Sequence, residues 1–369
     1  MTNRLPLAVL FALSLAVAAA GRQGVGALQG SDEAPPVSGV FEIAIGCTDP
    51  APVLRYWARF GYRPGPEGRL DAAAARALYG VDSALRSIRL LHQDADHGLL
   101  RVMVWDRPVN DGLQLEPMRV VGNRWGAMLT ADVYAVANHA EDAVAAGWPV
   151  RYVEPQRQVI YGGGAPATPF LDPVTGVREL LLLQPLSRQV IFQRYGYTIP
   201  GYGRIDEASA FRSSQVTHAG IVIQGGPAPL AFYDGALGLL RVRDGHESSY
   251  ADVASRHVFG LAPDDRYVTT DFDDPRSSAT DPLRARSGRL KVIRFVAGTP
   301  LPDPLDRSRP GSLRHSLYTV RVREGGARRR QVVGGGARDV GEVRLNEFGE
   351  RSLTFTAPDG YVWGLVEAP

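Results

Sequence analysis

One cysteine, Cys47, stands in 369 residues. That excludes an intrachain disulfide and a cysteine-rich zinc site, so the fold must be held by its core alone. Strong charge of one sign is also missing. A net charge of +2 gives no field to gather nucleic acid or an anionic membrane surface. Lysine is almost absent: Lys291 is the one lysine among 41 basic residues, in an arginine- and alanine-rich composition. After residue 20 no segment is apolar enough to span a bilayer. The familiar catalytic signatures are lacking as well. There is no Gly-x-Ser-x-Gly elbow, no phosphate loop and no paired zinc spacing. The runs Gly162–Gly164 and Gly334–Gly336 lack the strand-to-helix context of a phosphate site and read as flexible loops, lids over a site at most.

What is present is enough apolar material, 44% of residues, for two domains with real cores. The chain opens with Arg4, an apolar run from Leu5 to Ala20 and small residues at Ala18–Ala20. This pattern predicts a cleaved signal peptide over 1–20 and a periplasmic or secreted protein with no membrane attachment after cleavage. Residues 21–38, rich in Gly and Pro, read as a flexible leader.

Four units follow, each a strand, a helix and further strands. The first opens at Val40–Gly46, with helices near Val53–Phe60 and Leu70–Tyr79 and strands at Ser87–Leu91 and Leu99–Trp105. The second opens near Trp125–Thr130, with a helix over Val136–Ala146 and strands at Val150–Val153 and Glu179–Leu183. Asp172–Gly176 has strong turn chemistry before the last of these. Periodicity breaks from Gln184 to Ser214, which predicts a linker at 185–214 between domains over 39–184 and 215–369. The third unit starts at Val216, carries a helix over Leu230–Leu239 and ends at Leu290–Val296. The fourth opens at His315–Val322 and closes with Arg351–Thr356 and Tyr361–Val366; its Arg328–Arg330 run reads as a solvated loop. One such unit cannot bury its sheet face alone, so units must pair. The fold class expected is α+β: four βαβββ modules in two cupped, mixed sheets.

The segment His218–Ile223 with Leu230–Leu239, the helix stop at Ala145–Val150 and the two Pro…Gly turns before closing strands resemble the vicinal oxygen chelate superfamily of glyoxalases, bleomycin-resistance proteins and extradiol dioxygenases. The resemblance covers Val40 to Glu367 and is clearest in the third unit. It implies a cup in each sheet, often holding a divalent metal (Zn, Fe, Mn or Ni) on residues of the first and last strands of a unit. Alternate strand residues share a face, so such ligands can converge. By position the candidate ligands are Glu42, Glu179, His218 and His315, with Glu179 also the candidate catalytic base. Their ordinary readings stay open beside this: Glu42 paired with an arginine, His218 as a structural histidine, His315 facing solvent. The expected carboxylate of the fourth unit is Gly364, and the expected acid–base tyrosine is Thr354, which counts against ring cleavage. If non-adjacent units pair, Glu179 meets His218, and Glu42 meets His315. The implied function is an exported lyase, isomerase or dioxygenase for a small molecule. The alternative is a metal-free binding protein whose cups hold a ligand between Trp125, Tyr318 and Trp363.

Overall fold

The computed structural model describes residues 36–160, 171, 175–296 and 301–369. The predicted signal peptide, all but the end of the leader, the Gly162–Gly164 run and the Asp172–Pro173 turn lie outside the described residues. No helix among the described residues is long and apolar enough to cross a membrane.

The first unit is β1 (Val37–Cys47), α1 (Pro50–Ala58), β2 (Tyr62–Leu70), α2 (Ala72–Tyr79), β3 (Leu85–His92) and β4 (Leu99–Trp105). The second is β5 (Arg124–Thr130), α3 (Val133–Ala145), β6 (Arg151–Ile160), β7 (Thr175–Gln184) and β8 (Ser187–Tyr195). The third is β9 (Ser213–Gln224), α4 (Ala231–Gly235), β10 (Leu240–Ser249), α5 (Val253–Phe259), β11 (Arg266–Asp273) and β12 (Arg289–Phe295). The fourth is β13 (Arg314–Val322), α6 (Gly325–Gly334), β14 (Arg344–Leu345), β15 (Arg351–Thr356) and β16 (Val362–Glu367). The α+β class of repeated units in two eight-stranded mixed sheets stands.

The grouping of units differs from sequence order. One sheet runs β14-β15-β16-β13-β1-β4-β3-β2 and joins the first unit to the fourth; the other runs β10-β11-β12-β9-β5-β8-β7-β6 and joins the second to the third. Segments 39–184 and 215–369 therefore each contribute strands to both sheets. The cause is local. In every unit the first strand pairs in parallel with its own last strand, which leaves its other edge open. β1 closes that edge against β13, and β5 closes it against β9, both antiparallel. The expected linker is also corrected, because 187–195 is β8, the last strand of the second unit. β1 begins at Val37, inside the expected leader. The arginine run is helical, within α6, and Arg328 is buried with its guanidinium donating to the Ala236 carbonyl at 3.1 Å.

Strand alternation divides the apolar residues among three cores. Ile43, Ile45, Met128, Ile191, Ile221, Tyr318 and Trp363 pack between the two sheets. The cup of the first sheet holds Ala44, Ala75, Leu78, Met103, Trp105 and Leu317. That of the second holds Trp125, Val177, Leu181, Phe192, Val222, Phe259 and Tyr267. The extra helices α2 and α5 occupy matching places, between the second and third strands of their units, and each contributes side chains to one cup.

Candidate functional site

The two cups are built alike and filled differently. Glu42 precedes Ala44 by two residues on β1, and Ala44 pairs with Arg101 on β4. His218 precedes Gly220 by two residues on β9, and Gly220 pairs with Lys291 on β12. Glu42 and His218 are therefore equivalent, and so are Arg101 and Lys291.

In the first cup Glu42 is fully buried and its two oxygens are taken by Arg89 and Arg101. Thr319 Oγ1 donates to the same carboxylate at 3.1 Å. Burial pushes the Glu42 carboxyl up, but the Arg101 and Arg89 guanidiniums outweigh it and hold the group below its ordinary value. The remaining terminal nitrogens of the two guanidiniums are engaged as well. Arg89 donates to Glu350 at 2.9 and 2.7 Å, and Arg101 to the Tyr79 hydroxyl at 2.9 Å. Tyr79 in turn donates to Glu347 at 2.8 Å. The turn at 346–350 lays Phe348 over both guanidiniums, at 4.3 and 5.2 Å from ring centroid to Cζ. Glycine at position 68 allows this turn to come so close, since a Cβ there would stand 1.6 Å from the Glu347 carbonyl oxygen. Glu42 is thus the centre of a closed ion-pair cluster, its two oxygens committed to two guanidiniums and the Thr319 hydroxyl.

His315 does not join Glu42. Leu317 lies opposite Ala44, but His315 lies opposite Ile45, so one extra residue sits in β13 between them. Such a bulge turns the following side chain to the other face. His315 is buried between the sheets, where its Nε2 faces the Arg188 amide at 3.4 Å. Burial, then Arg188 and Arg124, lower its pKa to about 3. Tyr318 and Trp363, expected to line a cup, are also in the inter-sheet core. The Tyr318 hydroxyl donates to the Gly220 and Trp125 carbonyls at 2.7 and 3.0 Å, and Trp363 packs on the Tyr318 ring.

The second cup keeps a cavity of about 60 Å³, and it brings Glu179, His218 and Trp125 together. Glu179 comes from β7, the third strand of its unit, not the last; it lies opposite Phe192 of β8. Trp125 fills the room that small residues on β9 leave: a Cβ on Gly220 would meet its ring at 2.0 Å. Phe192, Tyr197, Tyr202 and Phe259 complete an aromatic wall. His218 Nδ1 lies 3.0 Å from the Tyr202 hydroxyl and 3.2 Å from Thr217 Oγ1. Burial, then Lys291 and Arg289, hold its pKa well below the ordinary histidine value, so the ring is neutral.

Beside Glu179 and His218 this cup holds charged residues that were not among the candidates read from the sequence: Lys291, Arg289, Asp271 and Asp273. Lys291 Nζ lies 3.3 Å from Asp271 Oδ1. Arg289 donates to both oxygens of Asp273 at 2.5 and 3.0 Å. Burial raises Asp271, but Lys291, Arg289 and Arg243 outweigh it and keep it a carboxylate below its usual range. Glu179 behaves in the opposite way. Burial, only partly opposed by Lys291, raises its pKa to about 7. A carboxyl poised there exchanges its proton readily at neutral pH.

The donor set does not fit a divalent metal. No group of three or more His, Cys, Asp or Glu side chains able to hold a metal occurs among the described residues. The position facing His218's strand is a lysine, Asp271 and Asp273 are already bound to cations, and Glu42 and His315 are elsewhere. Three protein ligands converging on an open position are the usual minimum for a catalytic ion.

No family model matches the sequence, and neither does any curated protein. Solved structures do match. Glyoxalase I from Zea mays aligns at 12% identity over 89% of this chain and 92% of its own, with a TM-score of 0.51. A putative dioxygenase from Bacillus subtilis subsp. subtilis str. 168 aligns at 12% identity over 91% and 87%, with a TM-score of 0.49. A member of the glyoxalase/bleomycin resistance protein/dioxygenase superfamily from Sphaerobacter thermophilus DSM 20745 aligns at 20% identity over 42% of this chain and 96% of its own, with a TM-score of 0.24. The likeness to the Zea mays protein shows the fold: this chain has the architecture of the vicinal oxygen chelate superfamily, with four units in two cupped sheets.

Proposed function

We propose that the protein acts on a small organic molecule in the cup of the second sheet, and that Glu179 is the group that moves a proton there. The observation that carries this is the juxtaposition, in one aromatic-walled cavity, of a carboxyl with a pKa of about 7 and the Lys291 ammonium. A general base works best with a pKa near the working pH. A fixed cation beside it stabilises negative charge as it develops on a ligand oxygen. Together they suit removal of a proton from a carbon next to a carbonyl, with the negative charge passing to the carbonyl oxygen. This belongs to the lyase and isomerase side of the expected activities. The glyoxalase I fold agrees with it as analogy only. Ring cleavage has less support: the Thr354 hydroxyl, at the position of the acid–base tyrosine, is engaged with the Leu78 carbonyl at 2.6 Å.

The test is wash-out of α-protons from compact carbonyl compounds in D2O, followed by proton NMR with hydroxyacetone and pyruvate as probes. The wild-type protein is expected to accelerate exchange, and Glu179→Gln to lower the rate by about 100-fold or more. Unchanged exchange in Glu179→Gln would remove Glu179 from the reaction. Binding without any exchange would favour the second reading, a metal-free binding protein, which the aromatic wall around the cavity supports.

Export remains part of the proposal and rests on the Arg4 to Ala20 pattern. An intact mass of protein recovered from the periplasm or medium, shortened by cleavage after Ala20, is the expected result; an uncleaved cytosolic protein would refute it.

A further inference from the structure

We propose that Lys291 is the specificity-determining residue of this cup, and that the ligand it selects is a compact organic acid whose carboxylate it binds. This rests on the cup of the second sheet being the working site and goes further by naming the ligand class.

In a chain where every other basic side chain of the 41 is arginine, the single lysine stands on the concave face of one sheet. The other sheet shows what arginine does at the same place. Arg101 spreads its planar fork over Glu42, Glu347 and Tyr79, and its cup is closed. Arginine suits bidentate, saturated pairing, whereas lysine brings a compact charge with three rotatable donors. Among the described residues Asp271 is the one ion-pair partner of Lys291, at 3.3 Å, and no hydrogen bond engages the ammonium. Its side chain is 18% exposed, and it lines the cavity. Donor capacity is therefore left facing a space that is otherwise largely aromatic.

The local charge balance favours an incoming anion. Three cations, Arg243, Arg289 and Lys291, are set against two aspartates, Asp271 and Asp273. Glu179 is the remaining acid of the cavity wall. The groups set against it are His218 on β9, Lys291 and Arg289 on β12, Tyr267 on β11, and Tyr197 and Tyr202 beyond β8; α5 lines the cavity with Val258 and Phe259 and sets Ser255 against Tyr267. None of these is a carboxylate. A ligand carboxylate beside Lys291 meets the standing charge of Asp271 throughout the neutral range and that of Glu179 only once it ionises, so binding favours protonated Glu179 and weakens as the pH rises through neutrality. The small volume restricts the ligand to a few heavy atoms, and the neutral walls favour a short carbon body.

The experiment is isothermal titration of the full-length protein with pyruvate and with its neutral isostere pyruvamide, at pH 6 and pH 8, for the wild type and Lys291→Met. The expected result is at least tenfold tighter binding of pyruvate than of pyruvamide, an advantage that shrinks at pH 8 and disappears in Lys291→Met. The wild-type comparison needs no variant, so a folding defect in Lys291→Met does not blunt the test. Equal affinity of the wild type for both probes would overturn the assignment. So would a pyruvate preference that survives in folded Lys291→Met. If neither probe binds but hydroxyacetone protons still exchange in a Glu179-dependent way, the acid assignment fails while the proton-transfer reading stands. If that exchange is absent as well, the function reading fails on its own evidence.

Discussion

At the scale of single residues, environment decides between roles that the sequence leaves open. Glu42 and His218 hold equivalent places on equivalent strands, and their facing was legible from strand alternation. Their partners were not, because those come from other strands far away in sequence. Glu42 meets two arginines and becomes structural; His218 meets a cavity, a tyrosine and a lysine. Replacing Glu42 by Gln leaves Arg89 and Arg101 buried without their shared counter-charge. The expected loss is about 3 kcal/mol or more of folding stability, read by urea denaturation. A loss below about 1 kcal/mol would mean the cluster is not held by this charge. The lowered pKa of Glu42 gives the sign with pH: its stabilisation is complete above the ordinary carboxyl range and is lost as the pH falls through the lowered value. Lys291 shows the other limit of sequence reading. Its singularity was visible, but composition explains most lone residues, and only its place in the cup gives it weight.

At the scale of elements, the strands and helices with clean periodicity were readable and the irregular ones were not. β2 has the sequence YRPGPEGRL, which argues against a strand until it is seen at the sheet edge, where proline and glycine are tolerated. β8 was hidden because Arg188 and Gln189 are buried polar residues; Arg188 is satisfied by Asn123 and by carbonyls of 114–117. The bulge in β13 carries no sequence signature, and it alone moved His315 to the other face. The contact between β9 and Trp125 can be probed directly. Gly220→Ala places a methyl group where the Trp125 ring lies, so the ring must shift towards the cavity. The expected cost is about 1–3 kcal/mol, accompanied by loss of ligand binding in the cup. A variant with unchanged melting temperature and unchanged binding would contradict this packing.

At the scale of the whole molecule, the repeat was legible but its pairing was not. First strands with one open edge can close on any other first strand, so sequence order was a natural but insufficient guide. The observed pairing threads the chain out of one sheet, through the whole of the second, and back. A fragment ending near residue 205 would hold β1 without β13 and β5 without β9, exposing two inner strand edges. It is expected to aggregate or remain unfolded alone and to fold when co-expressed with the remainder, as judged by circular dichroism and size exclusion. A cooperative melt from the fragment alone would contradict the pairing. The same architecture leaves one cup sealed by ion pairs and one open, and the account of function rests on the open one. Its most direct test is the pH profile of α-proton exchange for hydroxyacetone. A base must be ionised to accept a proton, so the wild-type rate should rise with pH and reach half its plateau near pH 7, while Glu179→Gln stays low and flat. A wild-type profile shared unchanged by Glu179→Gln would contradict the claim that this carboxyl, in this cup, does the chemistry.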